Sequence, residues 1–525
     1  MAETGKGKFA RNISSNIAGY LVSAAVALFL SPFVIGKLGD VHYGLWAMLI
    51  SVTGYYGLLD LGVRSAVGLF VTRYWAGEDM AGINRTLNTA TVLLSGVAVL
   101  AMVVTVVITL LLPSWITAEA TGAAALTGVE LATLIDDVQT ALLIAGSGIA
   151  IGLPLALWST VAYARKRFDI SNAIGIGERL AVAAATVVAL NQGGGIVALA
   201  TVTVSTQLLA AVVRVVVAFR LMPALQLRPS LSSWASVREL GRYGIYAFMV
   251  NAADKIVLYF DALIIGSFVT FAAVTYYDVG AKLIPYFMSL VLAVTWTMTP
   301  YATTLDARGD RPALRSLLLN GTRGSVFLTA VICAGLLSVG NEFILLWQDP
   351  KFALGEAYTS STTVLYILAW ATLVRGSTSC SRQLLFGMRK MRALASLAFT
   401  EAALNLILSL VLVQYFNLIG VALGTLIPVV LVYLVGQNIL VARFLDVGIG
   451  TLSAVTLRAT VPVMAGMVLV SYGIDAWFTA DSWALLGAKI LLILVPVAPI
   501  GFLVVMTPTE REQLRARFFR GRPTA

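Results

Sequence analysis

Apolar runs of about twenty residues recur from one end of this chain to the other, and they limit its possible folds more than any other feature. A hydrocarbon core about 30 Å thick is crossed by about 20 helical residues rising about 1.5 Å each. Inside lipid every backbone N–H and C=O needs an internal partner, which leaves only helices or closed barrels. Barrel strands alternate apolar and polar side chains. These runs do not alternate, so they read as helices. Spans fall near 14–36, 43–64, 88–112, 138–163, 172–190, 195–219, 245–268, 274–301, 325–346, 362–381, 394–415, 418–441, 453–474 and 483–506. Composition agrees: 59% of the 525 residues are hydrophobic and 12% charged, with a mean hydropathy of +0.89. A soluble chain carries about a quarter charged residues. The fold class is therefore all-α, a polytopic membrane protein of about fourteen transmembrane helices.

The connections between spans alternate in charge. One set is basic: the N-terminus with Lys6, Lys8 and Arg11, then Arg73 and Arg85, Arg165–Arg167, and Arg220, Arg228, Arg238 and Arg242. It continues with Arg308, Arg311, Arg315 and Arg323, then Arg382, Arg389, Lys390 and Arg392, then Arg443 and Arg458, and a tail from Arg511. The other set has only Lys37 and Lys351 as bases, and carries Asp40, Glu119, Glu130, Asp136, Asp137, Glu342, Asp349, Glu356, Asp475 and Asp481. Short basic loops stay in the cytoplasm. Both termini are therefore expected there, with an even number of spans. The net charge of +10 is a topology signal, so nucleic acid is rejected as a partner. Attraction to anionic lipid is an additional reading. The run after Arg11 is too long for a signal-peptide core and reads as an uncleaved first span. Cys333 and Cys380 lie in apolar segments and say nothing of redox compartment. The longest outer connection, from Pro113 to about Asp137, is either a short surface helix or a plain loop.

Internal symmetry is faint. Phe33–Gly36 followed by Tyr43 is similar to Leu263–Gly266 followed by Tyr276, which sets span 7 opposite span 1. Two six-helix lobes, 1–222 and 223–445, would be followed by two C-terminal helices and a basic tail in 446–525. Transporters built from such repeats place their site near mid-membrane.

Three stretches carry a family resemblance. Val41–Trp46 with Leu58–Gly62 resembles the second span of bacterial polysaccharide exporters. Asp261–Gly266 with Tyr276 and Lys282 resembles their span 7 to 8 region. Leu385–Arg389 with Asn405 and Gly420–Thr425 resembles their span 10 to 12 region. The group is the multidrug/oligosaccharidyl-lipid/polysaccharide (MOP) superfamily, and within it the O-antigen and exopolysaccharide flippase branch. The resemblance implies two lobes around a cavity that opens alternately to each side. The cargo it implies is an undecaprenyl-diphosphate-linked oligosaccharide moved from the cytoplasmic to the outer leaflet of the bacterial inner membrane. The partners it implies are membrane lipids and a polysaccharide polymerase or export complex.

Ionisable groups within spans are expensive and mark interiors or wet cavities. Lys282, Arg375, Arg64 and Lys255 are candidates for binding the diphosphate; Asp261, Asp278, Asp60, Glu401 and Glu178 are candidates for coupling to protons or sodium. Asp261 and Lys282 lie at equal depth, about 10–12 Å below the outer face, so they form either a switchable site or a permanent helix-positioning pair. Asp278 is one turn from Lys282 on the same face. Arg375 sits among Gly376, Ser377, Ser379 and Ser381, small residues that permit a cavity or close helix approach. It either binds phosphate through its donor fork or snorkels to the cytoplasmic face. Asp60 and Arg64, at i and i+4, read as a local pair or a gate. Glu178, Arg179 and Glu401 lie about two turns in from the cytoplasm, and Asp254 and Lys255 on different helix faces. Arg214 and Lys489 are placed to snorkel. His42, the only histidine, is an interfacial residue or a pH sensor. Tyr43, Trp46, Trp296, Trp347, Trp477 and Trp483 suit an aromatic belt. Pro154, Pro285, Pro428, Pro462 and Pro496 lie within spans, as kinks or broken-helix sites.

Three function classes follow: a flippase for lipid-linked glycan, a multidrug or small-solute antiporter of the same fold, and a membrane-embedded polymerase or glycosyltransferase. The short loops hold no catalytic constellation, and there is no Gly-x-x-x-x-Gly-Lys-Ser/Thr loop for ATP. A transporter that is not an enzyme is the expected answer, with no cofactor. A diphosphate headgroup calls for cations in the cavity and a cationic drug for acids; the spans contain both.

Overall fold

The computed structural model describes residues 5–116, 128–477 and 479–504. Glu119 and the tail from Arg511 lie outside them, as do the side chains of Lys6, Lys8, Arg11 and Arg242. The described residues are helical throughout, with no strand among them. They divide into two compact units, Met1–Thr275 and Tyr276–Ala525. This cut follows compactness and differs from the division 1–222, 223–445 and 446–525 expected from the sequence.

The first unit contains α1 (Gly5–Tyr55), α2 (Val63–Ala76), α3 (Met80–Leu111), α4 (Gly128–Ala156), α5 (Ser159–Ala164), α6 (Phe168–Asn191), α7 (Ile196–Leu221) and α8 (Trp234–Phe268). Helix α9 (Phe271–Ala281) leads into the second. There follow α10 (Ile284–Thr295), α11 (Met298–Ala307), α12 (Arg311–Trp347), α13 (Pro350–Leu354), α14 (Ser361–Ser377), α15 (Ser379–Gly387) and α16 (Met391–Val429). A π-helical stretch, Val430–Gln437, then joins α17 (Asn438–Leu445), α18 (Ile449–Asp475), α19 (Trp483–Leu494) and α20 (Val497–Val504). Helix α4 begins ten residues before the apolar run that announces it, at Gly128.

Ten described helical stretches are long and apolar enough to cross a membrane. Their outward faces show which solvent they meet. Leu110 on α3 is 73% exposed and Leu469 on α18 is 69% exposed, each in a stretch apolar enough to cross a membrane. Such apolar girdles belong in lipid, so this is a multi-pass membrane protein. Two stretches, Gly19–Asp60 and Met391–Leu445, are 42 and 55 residues long, about 63 and 82 Å of helix, enough for two crossings each. The first breaks at Gly39 (φ 75°, ψ 170°), a conformation open to glycine. The second breaks at Asn417 (φ 48°, ψ −127°) and doubles back. Asn405 donates to Gly424 O at 3.1 Å and to Thr425 Oγ1 at 3.0 Å, and a Cβ on Gly424 would meet Ser409 Oγ at 2.2 Å. With α8 and the α14–α15 pair, richer in charge and hydroxyls, every span expected from the sequence coincides with a helix.

The two units repeat one another in detail. Glu78 (φ 56°) precedes Asp79, whose carboxylate caps α3 by accepting from Gly82 N at 2.8 Å; Gly309 (φ 68°) precedes Asp310, which caps α12 by accepting from Ala313 N at 3.0 Å. Lys166 (φ 55°) turns the chain into α6 as Arg389 (φ 58°) turns it into α16. In both turns the following N–H returns to a carbonyl five residues back, at 2.9 Å (Arg167 to Ala162, Lys390 to Leu385). Gly146 on α4 lies against Thr105 on α3, and Gly376 on α14 against Thr329 on α12. An added Cβ would sit 2.3 Å from the threonine Oγ1 in both cases, although the second contact lies seven residues nearer its cap and turn than the first.

Helices α18 and α19 are tied to the second unit by a charge cluster. Lys489 does not snorkel: it is fully buried, and its ammonium lies 2.5 Å from both Glu342 Oε1 on α12 and Asp475 Oδ1 on α18. An ammonium removed from water needs counter-charges, and the C-terminal ends of α12 and α18 supply two. Arg214 bonds to Glu178 and is likewise engaged within the protein.

Two stability predictions follow from this packing. Gly146→Ala and Gly376→Ala each lower the thermal midpoint in detergent, by about 1–3 kcal/mol of overpacking, and Thr105→Ala or Thr329→Ala recovers part of the loss. Equal midpoints for wild type and variants would show that the helices are not that close. Lys489→Met leaves Glu342 and Asp475 without their shared cation and lowers the midpoint in the same melting curves, the part-exposed carboxylates being screened by solvent.

Candidate functional site

Most span-embedded charges in the second unit gather where helices are interrupted. Pro285 has no N–H to donate to Ala281, so span 8 breaks between α9 and α10. Lys282 occupies that break, and its ammonium is 2.8 Å from Asp278 Oδ2, one turn back. Both side chains remain partly exposed. The same-face arrangement read from the sequence is thus a real ion pair.

Span 10 breaks at Thr378 for a different reason. Ser377 and Thr378 bond back to Val374 O (2.8 and 3.0 Å), Ser379 to Gly376 O (2.7 Å) and Ser381 to Thr378 O (2.8 Å). Hydroxyls returning to the preceding turn bend a helix. Arg375 lies in the last turn of α14 before this bend. Its guanidinium forms an ion pair with Glu401 Oε1 on α16. The other carboxylate oxygen accepts from Tyr433 OH at 2.6 Å, and the guanidinium carbon is 5.7 Å from the Tyr433 ring centroid. Tyr433 sits in the π-helical stretch behind Pro428, a geometry common at functional sites. One turn on, Gln437 donates to Thr378 O at 2.8 Å and to Ser381 Oγ at 2.6 Å, stitching the π segment to the bend. The walls are apolar: Val429, Val432 and Tyr433 pack with Val374, Leu397 and Leu404. Glu401 is 2% exposed while the Arg375 side chain keeps 23%, so the carboxylate is sealed and the arginine is not. Bringing together Arg375 and Glu401, distant in sequence, is the work of the tertiary fold. Tyr433 and Gln437 were absent from the sequence-derived candidates. The only signal for them was Pro428 inside an apolar span.

The first unit holds the other candidates separately. Asp60 Oδ1 accepts from Gly62 N at 2.7 Å, capping the left-handed turn at Leu61–Gly62, and Asp60 Oδ2 lies 3.8 Å from Arg64 Nε. The pair is local, across the break between the 3₁₀ turn Tyr56–Asp60 and α2. Asp261 is buried on α8. Beside it Tyr55 packs edge-on against Tyr259 and Phe260 (centroids 5.8 and 6.3 Å), made possible by Gly54, whose Cβ would meet the Tyr259 ring at 2.5 Å. Lys255 donates to Tyr259 OH at 3.2 Å with its ammonium 4.7 Å from that ring's centroid; Asp254 is exposed. Glu178 on α6 binds Arg214 on α7, and Arg179 donates to Gly19 O on α1 at 3.2 Å. A cavity of about 480 Å³ lies at the Gly39 break, lined among others by Asp40, His42, Glu130 and Asp137. Among the described residues no group of His, Cys, Asp and Glu is arranged to hold a metal ion.

Comparison with known proteins agrees with this architecture. The chain is 23% identical over 193 residues to the probable low-salt glycan biosynthesis flippase Agl15 of Haloferax volcanii, covering 37% of this chain and 40% of that protein, less than half its length. Among solved structures, lipid II flippase MurJ in an inward closed conformation superposes with a TM-score of 0.70 at 15% identity, over 96% of this chain and 100% of that one. A multidrug-resistance MATE family transporter of the MOP superfamily, inward-facing, gives 0.63 at 11% identity over 82% and 95%. At these identities the likeness is one of fold. The family described as "Polysaccharide biosynthesis protein" matches residues 43–363, more than half the chain. The chain belongs to that family, with the fold of the MOP transporters.

Proposed function

We propose that this protein is a flippase that moves an undecaprenyl-diphosphate-linked oligosaccharide from the cytoplasmic to the outer leaflet of the inner membrane, with both termini in the cytoplasm. The observation that carries this reading is Arg375: an arginine inside a span, paired with a sealed carboxylate while its own side chain stays 23% exposed. A diphosphate matches its donor fork. As phosphate draws Arg375 away, Glu401 keeps the Tyr433 hydrogen bond and loses its counter-charge. A proton or another cation arriving at Glu401 then releases Arg375 to the cargo, which links transport to an ion gradient. Lys282, at the break in span 8, is a second cation held by an exchangeable acid. Lys255 and Arg64 are further headgroup candidates; Asp261, Asp278, Asp60 and Glu178 are further coupling candidates. A polysaccharide polymerase or export complex is the proposed recipient of the cargo.

Reconstitution with a labelled prenyl-diphosphate glycan, following leaflet exchange, is the direct test. Wild type accelerates exchange. Arg375→Ala and Lys282→Ala each slow it by at least about tenfold, the scale of one charge-assisted hydrogen bond, while still inserting in the membrane. Asp261→Asn changes the dependence on the ion gradient. Wild type that ignores the glycan but extrudes cationic drugs would instead make the protein an antiporter. Topology is checked separately with single cysteines in each loop: position 166 is labelled from the cytoplasm and position 355 from outside, and labelling of both from one side would contradict the alternating charge reading.

A further inference from the structure

We infer that Glu178 and Arg214 form a second subsite for a phosphate-bearing headgroup, within the first unit; the inference extends the flippase reading and rests on it. The repeat locates the pair. Helices α6 and α16 follow matching left-handed turns at Lys166 and Arg389. Glu178 comes ten residues after Phe168, the start of α6, and Glu401 ten residues after Met391, the start of α16. The two carboxylates therefore stand at the same depth in their units, about 15 Å along the helix. Each receives a guanidinium, but from a different neighbour: Arg214 from α7, which follows, and Arg375 from α14, which precedes.

The arginine is not a relic of the repeat. Counted back from the matched turns, the step from Arg389 to Arg375 leads from Lys166 to Gly152, so the residue matching Arg375 has no side chain to carry a charge. The first unit supplies its guanidinium from another helix to the same acid. What the fold preserves is a carboxylate-held arginine at a set depth, which is the element assigned above to headgroup binding. Neither side chain is sealed, with that of Arg214 26% and that of Glu178 19% exposed, unlike the fully buried Lys489. The fork carries five donors, and the bond to Glu178 runs through Nη2. Arg179 is turned the other way, onto Gly19 O of α1, and leaves Arg214 as the cation facing this carboxylate.

The ligand chemistry is a phosphate or diphosphate, from a prenyl-linked cargo or a phospholipid headgroup. The test uses the full chain in nanodiscs carrying Arg375→Ala, which removes the second-unit guanidinium, with inorganic pyrophosphate and a sugar-free prenyl diphosphate as probes. Affinity is read from ligand-induced shifts of the thermal midpoint. Arg214→Gln weakens binding by at least about tenfold, and Glu178→Gln, which frees the guanidinium, tightens it. The double variant, neutral on both sides, melts like its parent and binds like Arg214→Gln. Weakening that is equal in phosphatidylcholine discs and in discs containing phosphatidylglycerol identifies the cargo as the source. A difference seen only with phosphatidylglycerol identifies the lipid headgroup. Unchanged affinity in Arg214→Gln, or equal loss in both single variants with lowered ligand-free midpoints, would make the pair a structural strut and overturn the inference. Leaflet exchange separates the two readings. If Arg214 binds diphosphate and no glycan moves, the flippase reading fails; if glycan moves and Arg214→Gln binds diphosphate as its parent does, this one fails.

Discussion

Hydrocarbon offers no hydrogen bond to a peptide group, and nearly every feature of this molecule answers to that deficit. Unbroken helix satisfies it by default. Wherever the helix is interrupted, something local takes over the abandoned backbone groups or excuses them. Glycine and asparagine accept the left-handed geometry at Gly39 and Asn417. Proline has no N–H to satisfy beside Lys282. Serine and threonine hydroxyls cover the carbonyls around Thr378, and Gln437 reaches across from the π segment to the same bend. The interruptions are where this protein places its chemistry: Lys282 lies in one, Arg375 in the turn before another, and Tyr433 in a third.

Charges inside the membrane obey a related rule. A buried ion must be paired, and a pair is stabilising only when its geometry offsets the lost hydration. The cations Lys282, Arg375, Arg214 and Lys489 all meet carboxylates. They differ in access. Lys489 is closed off completely between two acids, which suits a permanent tie for α18 and α19. The other three keep part of their surface open, and an open cation can exchange one anion for another. This contrast, more than the presence of charge, separates a strut from a candidate binding group.

The two units share turns and caps at matching positions and use the same kind of glycine–threonine contact, yet not the same charges. Backbone geometry is held by sterics that few residues satisfy: only a small residue fits where Gly146 and Gly376 meet threonine. Charged partners are less constrained, because any neighbouring helix at the right depth can deliver a guanidinium. A repeat therefore persists in its packing while its electrostatics diverge.

From the sequence alone the membrane class, the number and placement of the spans and the family were legible, because hydropathy over twenty residues and the charge of short loops are local quantities that the bilayer reads directly. Individual intramembrane charges were also visible, since each stands out against an apolar run. Partners one turn away on the same helix could be read, as for Asp278 and Lys282, but partners on other helices could not. Arg375 and Glu401, Arg214 and Glu178, and Lys489 with Glu342 and Asp475 come from different helices. A side chain's choice between reaching an interface and turning inward depends on which helix lies beside it. Arg214 and Lys489 looked able to snorkel because distance along one helix was all that could be counted. Helix packing determines who neighbours whom, and that is a property of the tertiary fold.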